Sequence, residues 1–356
     1  MKSPPTAAPR RTAVAAGTLL ALALMPVAAA ERDCSRDGVR RPGPSLSLRI
    51  DNDLFGGRGQ DQGYSNGFLF TAMSPDLYDY RNDPCLPLPA RLLNRYLDWI
   101  GPGGGEQRNM VVGIGQALFT PEDHEATALL PAERPYVGAL LIGFGYNARN
   151  GDHLRVGQLR LGMIGPSARG EQVQNGWHHV IGSPRLNGWD NQLRDEPVFQ
   201  LVHERMRRYG EAGAGWGHDF ITHAGGALGN FSTYLNAGAE WRFGRGLPDD
   251  FGSTPLRPAG ENTSPSRDGW GGPGWSGHGF LTADARAVFY DVTLDGNSFR
   301  RSHSVKRRPF VADFGYGLAL THGAWKFAFA RYHRTREFDG QRELPVFGSV
   351  TISRRL

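Results

Sequence analysis

The feature that most constrains the fold is a repeated alternation between apolar side chains and polar or small ones. It is clearest in residues 310–320, where one face carries Phe310, Ala312, Phe314, Tyr316, Leu318 and Leu320. The opposite face carries Asp313, Gly315, Gly317 and Ala319. A period of two is typical of a β-strand with two unlike sides. Because residues 234–243, 281–289 and 325–329 repeat the pattern, the sequence predicts an all-β fold.

The polar faces favour a membrane barrel over a soluble β-sandwich, whose strands also alternate. Full charges stand in the middle of these strands, at Glu240 and Arg242 and at Asp284 and Arg286. A water-filled lumen permits such charges, and the aromatic residues near the strand ends match interfacial girdles. We therefore expect a transmembrane antiparallel β-barrel, with a soluble exported β-protein as the alternative.

About twelve segments have the length of barrel strands. They lie near 45–51, 65–73, 109–118, 136–147, 153–163, 197–208, 218–228, 232–243, 279–291, 310–321, 324–333 and 345–354. An even number lets both chain ends face the periplasm. The outward loops, in chain order, are then residues 52–64, 119–135, 164–196, a tight turn near Gly229, 292–309 and 334–344. The alternation in 153–163 changes phase at Gly157, which indicates a β-bulge.

Two connections on the periplasmic side are long. Residues 74–108 contain Leu88, Leu92, Tyr96 and Ile100 at helical spacing, which predicts a short amphipathic helix. Residues 244–278 are rich in Gly, Pro and Ser, which indicates an irregular loop. We thus expect short helical segments in the loops of the barrel.

Residues 1–30 have the pattern of a secretory signal peptide: Lys2, Arg10 and Arg11 precede an apolar stretch, and Ala28–Ala30 offer a cleavage site. An uncleaved anchor is the alternative, which Pro26 disfavours. The mature barrel would span residues 31–356, and loss of three basic residues lowers the net charge from +5 to +2. That balance gives no reason to expect nucleic acid as a partner.

The chain has two cysteines, Cys34 and Cys85. Export permits a disulfide between them, although the sequence does not establish one. Two cysteines alone are too few for a metal site. Beyond residue 30 no apolar run is long enough for a transmembrane helix. Nothing in the sequence indicates the oligomeric state.

The first outward loop is dense in oxygen-bearing side chains, beginning with Asp51, Asn52 and Asp53 and ending at Ser65 and Asn66. Carboxylate and amide oxygens suit a hard cation such as Ca²⁺. The spacing is not that of an EF-hand. The alternative is a solvated turn, because Asn, Asp and Gly are ordinary turn residues.

The third outward loop contains Gln174 and His178, which are four residues apart and would share one face of a helix. A histidine at the rim, near a cation-binding loop, could act as a general base on water. A purely structural hydrogen-bonding role is the alternative.

The fifth outward loop is basic, with Arg300, Arg301, His303, Lys306, Arg307 and Arg308. Such a cluster would attract the phosphate groups of an anionic lipid, or it is simply a solvated charged loop. The chain has no His-Glu-x-x-His motif and no phosphate loop.

Nine short blocks, in order along nearly the whole mature chain, resemble the outer-membrane lipid A 3′-O-deacylases. They are Asn52–Phe55, Tyr64–Gly67, Gly115–Pro121, Arg134–Tyr136, Ile164–Pro166, Gln172–His178, Gly188–Gln192, Gly226–Asn230 and Leu294–Asn297. The resemblance implies a twelve-stranded barrel in the bacterial outer membrane. It also implies metal-dependent removal, usually with calcium, of the 3′-linked acyloxyacyl group from lipid A in the outer leaflet.

The resemblance also implies roles for individual residues. Asn52 and Asp53 would lie in the active site, with Asp53 near the metal, and Ser65 would replace a hydroxyl residue that is usually threonine. His178 would be the general base, with Gln174 one helical turn before it.

Two family residues are missing. A lysine of the second outward loop has no counterpart between Glu122 and Glu133, so either the substrate or the rate differs, or Arg134 or Lys306 substitutes for it. A glutamate after the histidine falls at Pro184. The alternatives are an outer-membrane phospholipase-type esterase and a non-enzymatic barrel, either a porin or an inactive relative.

Overall fold

The computed structural model describes residues 43–56, 63–123, 125–210, 213–253, 266, 270 and 274–356. The predicted signal peptide and Cys34 lie outside these residues, while Cys85 is disulfide-bonded. The strands are β1 (Ser45–Asn52), β2 (Gly63–Met73), β3 (Gln107–Thr120), β4 (Val137–Asn150), β5 (His153–Ile164), β6 (Glu196–Tyr209), β7 (Gly213–Gly229), β8 (Ser232–Leu247), β9 (Trp275–Asp291), β10 (Phe310–His322), β11 (Trp325–Arg334) and β12 (Val346–Arg355).

The twelve strands form one closed antiparallel barrel, in which every strand pairs with its neighbours in the chain. The barrel closes at a seam between β1 and β12, where Asn52 lies opposite Gly348. The predicted fold class, the strand number and the approximate strand positions are confirmed. We call the end that carries the first residue of β1 and the last of β12 the periplasmic end, and the other the outer end.

The helices are short and lie in the connections. They are α1 (Leu88–Leu97), α2 (Gly170–Ile181) and α3 (Val292–Asp295), with 3-10 helices at Asp53–Gly56, Asp98–Ile100, Pro166–Ala168 and Trp189–Asn191. Within the described ranges, no helix combines the length and the apolarity needed to cross a membrane.

The alternating residues of β10 face the outside and the lumen of the barrel in turn, as predicted. Phe314 and Leu318 are exposed on the outer wall, whereas Asp313 and Ala319 are buried towards the lumen. An apolar outer wall around a polar interior is the arrangement that a barrel needs in a lipid bilayer.

The periplasmic half of the lumen is filled by the chain itself. The segment after β8 folds into the barrel, where Phe251 is fully buried. Arg242 binds Asp219 and Asp250, and the Lys326 Nζ donates to Asp250 at 2.8 Å. Buried charges are stable only when they are paired in this way.

The prediction of a β-bulge at Gly157 is wrong. The register runs without a shift through Gly157 in both pairings of β5. Leu154 and Val156 instead pack with Phe251, in a hydrophobic cluster inside the barrel. The change of phase therefore marks an apolar patch on the lumen face.

The predicted amphipathic helix is confirmed as α1, which lies against the outside of the barrel near its periplasmic end. Its Leu93 and Leu97, and Ile100 just after it, pack on the wall around Tyr146 and Phe144. The other residues of the predicted stripe, Leu88, Leu92 and Tyr96, face away from the barrel and are exposed.

Candidate active site

Helix α2 lies on the outer wall of the barrel at its outer end. It contacts β3 and β4. Gly138 of β4 shares a face with the exposed Leu140, and an added Cβ on Gly138 would lie 3.1 Å from the Cα of Gly170. The side-chain amide of Gln116 on β3 donates to the Ala168 carbonyl at 2.5 Å, just before the helix begins. The two glycines therefore let the helix backbone approach the wall closely.

The helix buries Gln174 and His178, with 0% and 1% of their surfaces exposed, so the prediction that they share one face is confirmed. The imidazole Nδ1 contacts the carbonyl of Pro184, which can only accept, so Nδ1 carries a proton. The Nε2 atom lies 3.0 Å from the Gln174 amide nitrogen, which donates to it. This arrangement fits a neutral imidazole with its lone pair on Nε2.

Asn52, Asp53 and Ser65 lie together at the end of β1 and the beginning of β2, and all three are buried. The Asn52 amide donates to the Ser65 carbonyl at 3.1 Å. The β2–β3 register shifts between Tyr64 and Asn66, so Ser65 is an extra residue in its strand. Its hydroxyl donates to the carbonyl of Leu118 at 3.3 Å.

Leu118 connects the two groups of site residues. Its side chain packs with Tyr136, Leu186 and Trp189, and Leu186 and Trp189 belong to the same connection as α2. The backbone of Leu186 donates to the side chain of Asn175 within the helix. The backbone carbonyl of Leu118 thus accepts the hydrogen bond from Ser65, while its side chain packs beneath the connection that contains α2. All five predicted site residues are buried at the outer end of the barrel.

Both residues that were considered as substitutes for the missing lysine form ion pairs with carboxylates. Arg134 is buried and donates to Glu337 at 3.0 Å and to Thr293 at 2.8 Å. Lys306 pairs with Asp339 at 3.0 Å and is otherwise exposed. At the position of the missing glutamate, the backbone carbonyl of Pro184 orients the imidazole instead.

The basic residues of the fifth outward loop are partly neutralised. Arg307 pairs with Asp295 at 2.9 Å, and Arg308 and Lys306 share Asp339. Hydrogen bonding to Lys306 lowers the pKa of Asp339, which keeps this carboxylate charged. The loop is therefore less basic than its sequence alone suggests.

The oxygen atoms of the site are of the kind that calcium prefers. Asp53 offers a buried carboxylate, and Asn52 and Ser65 offer neutral oxygens. The Oε1 atoms of Gln116 and Gln174 are buried without a hydrogen-bond partner in the described structure. In the part of the chain that is described, no three His, Cys, Asp or Glu side chains cluster so as to hold a metal. These donor types are the ones that a calcium ion would use, together with water or substrate oxygens.

Gln116 had no role in the sequence analysis. It shares the outer face of β3 with Ile114, which is exposed, and with Leu118. A polar side chain on a face that otherwise meets lipid must find a partner, and here the partner is the Ala168 carbonyl. This break in the apolar face is the signal that could have identified the residue.

The comparisons with known proteins agree with this architecture. A family model described as "Outer membrane protein LpxR" matches residues 16–356. No curated protein matches. Among solved structures, LpxR from Salmonella typhimurium is 18% identical, with a TM-score of 0.66 over 88% of this chain and 100% of that one.

The β-domain of the Bordetella autotransporter BrkA is 10% identical, covering 88% of this chain and 99% of its own, with a TM-score of 0.42. At 18% identity, the Salmonella structure shows the barrel fold alone. The family match extends over nearly the whole chain and includes every site residue described above. The chain therefore belongs to the LpxR family of outer membrane proteins and is a barrel of the bacterial outer membrane.

Proposed function

We propose that the chain is a lipid A 3′-O-deacylase, which hydrolyses the 3′-linked acyloxyacyl ester of lipid A in lipopolysaccharide. The observation that carries the proposal is the buried imidazole of His178 on the outer wall, at the same end of the barrel as Asn52, Asp53 and Ser65. A site on the lipid-facing wall, rather than in the lumen, suits a substrate whose acyl chains lie in the outer leaflet. Membership of the LpxR family supports this assignment.

His178 acts as the general base. The Pro184 carbonyl holds the Nδ1 proton, which fixes the ring and leaves the Nε2 lone pair to accept a proton from water. In the free protein the Gln174 amide occupies Nε2, so the attacking water takes the place of this contact. The Pro184 carbonyl then stabilises the imidazolium that forms.

Asn52 and Ser65 orient the ester carbonyl and the water. Asp53, with the neutral oxygens around it, would hold calcium, which would polarise the ester carbonyl by its positive charge. Water adds to the carbonyl carbon, the bond to the sugar oxygen breaks, and His178 returns its proton to that oxygen. The products are a free acyloxyacyl fatty acid and a 3′-hydroxyl on the sugar. Because water attacks directly, no acyl-enzyme is required.

The test uses purified protein in detergent micelles with lipid A, in calcium or in chelator, followed by mass spectrometry of the lipid. We expect loss of the 3′-acyloxyacyl group only in calcium, and a rate about 10²- to 10⁴-fold lower for His178→Ala. His179→Ala is the matched control, because the neighbouring His179 is exposed on the same helix.

Full activity of His178→Ala would remove the mechanism. Release of fatty acid from phospholipids, with lipid A unchanged, would identify an outer-leaflet phospholipase instead. An unchanged lipid profile would favour an inactive relative. The filled periplasmic half of the lumen argues against an open porin.

A further inference from the structure

The periplasmic helix α1 presents a second apolar face that nothing in the described structure covers. Its residues lie along one side of the helix and the turn after it: Leu88, Leu92, Tyr96 and Trp99, with 58%, 44%, 78% and 65% of their surfaces exposed. The opposite side packs on the barrel through Leu93, Leu97 and Ile100. Burying both faces would require an apolar environment outside the barrel.

The exposed face continues a belt of aromatic residues around the periplasmic end of the barrel. Trp216, Trp275 and Trp325 are exposed at the periplasmic ends of β7, β9 and β11. Beside α1, the wall residue Tyr146 is fully buried, because Tyr80 packs on its ring and Asn94 of α1 accepts from its hydroxyl. On this part of the barrel, Tyr96 and Trp99 therefore provide the exposed aromatic side chains of the belt in place of the buried Tyr146.

The charge of the helix matches a phospholipid surface. Within Leu88–Leu97 the charged residues are Arg91 and Arg95, with no acidic residue. Asp98, immediately after the helix, is neutralised by Arg81. Basic residues beside an exposed apolar face are typical of helices that lie in the headgroup region of a membrane.

We propose that Leu88–Ile100 is an interfacial anchor, lying in the headgroup region of the periplasmic leaflet with its exposed face in contact with phospholipid. The anchor continues the lipid-facing surface of the barrel rather than forming a docking site for a protein. It does not depend on the catalytic proposal, because it lies at the opposite end of the barrel.

The test is lipid quenching of tryptophan fluorescence in the full-length protein, reconstituted in vesicles of phosphatidylethanolamine and phosphatidylglycerol. The signal of Trp99 is the difference between the parent protein and Trp99→Phe. In vesicles whose acyl chains are brominated near the headgroup, we expect this difference to fall at least twofold. Trp275→Phe reports a belt residue that should be quenched equally, and Trp189→Phe reports a residue buried within the protein that should not be quenched.

Two results would overturn the proposal. A Trp99 signal that is unquenched and has the emission of a water-exposed indole would place the helix outside the leaflet. A signal that is unquenched but blue-shifted would show that protein covers this face, and cross-linking of the reconstituted sample would then distinguish a second copy from another partner.

Discussion

The close approach of α2 to the barrel wall can be tested by adding a single methyl group. An ideal Cβ on Gly170 would lie 2.9 Å from two ring atoms of Trp189 and 3.0 Å from the Cα of Gly138. Carbon atoms normally pack at about 3.5–4.0 Å. In Gly170→Ala the helix must therefore move away from the wall by roughly 0.5–1 Å, and Gln174 and His178 move with it. Since a displacement of about 1 Å at a catalytic group costs about 10²-fold in rate, we expect activity to fall about 10- to 100-fold.

The assay is the rate of lipid A deacylation by purified protein, with heat-modifiable mobility on gels as the check that the barrel is intact. Gly176→Ala is the matched control, because a Cβ there meets nothing within 4 Å. Alanine at that position should leave the rate unchanged and stabilise the helix by up to about 1 kcal/mol. Equal loss of activity in both variants, or none in Gly170→Ala, would refute the argument that close packing positions His178.

Two further predictions concern stability, measured as the temperature at which heat-modifiable mobility is lost. Burial raises the pKa of Glu337, but Arg134 and Arg334 lower it more, so its pKa lies below the usual value. Its stabilising contribution is therefore complete above the unfolded pKa of about 4.3 and is lost as the pH falls through the folded value. Glu337→Gln should lower this transition temperature by the equivalent of about 3–5 kcal/mol of unfolding free energy at neutral pH, and by less in acid. An effect that does not change with pH would contradict this prediction. Lys326→Met should destabilise the barrel by a similar amount, because the buried Asp250 then has one cation fewer. Lys306→Met removes an exposed ion pair and should change the stability by less than about 1 kcal/mol. Equal effects of the two substitutions would contradict the role of burial.

The strands were predictable because a barrel wall separates lipid from a polar lumen. From Ala312 to Thr321 in β10, each outward residue is apolar and each inward residue is polar or small, so the period of two remains visible. In β5 the lumen face is itself apolar at Leu154 and Val156, because Phe251 packs there from a distant part of the chain. Local alternation cannot reveal such a partner, and the predicted bulge at Gly157 was wrong for this reason.

The candidate site was predictable to the extent that it is local. The four-residue spacing of Gln174 and His178 placed both on one helix face, as observed. The orientation of α1 was not predictable, since both of its faces are apolar and only the barrel determines which is covered. Likewise, the bond from Arg134 to Glu337 joins residues that are about 200 positions apart, which no spacing rule can anticipate.

The position of Asn52 opposite Gly348 links the site to biogenesis of the barrel. Strands β1 and β12 can pair only after the chain as far as Arg355 has been synthesised and exported. The contacts between Asn52 and β12 form only when these two strands pair. An unfinished chain in transit through the periplasm therefore lacks the assembled candidate site.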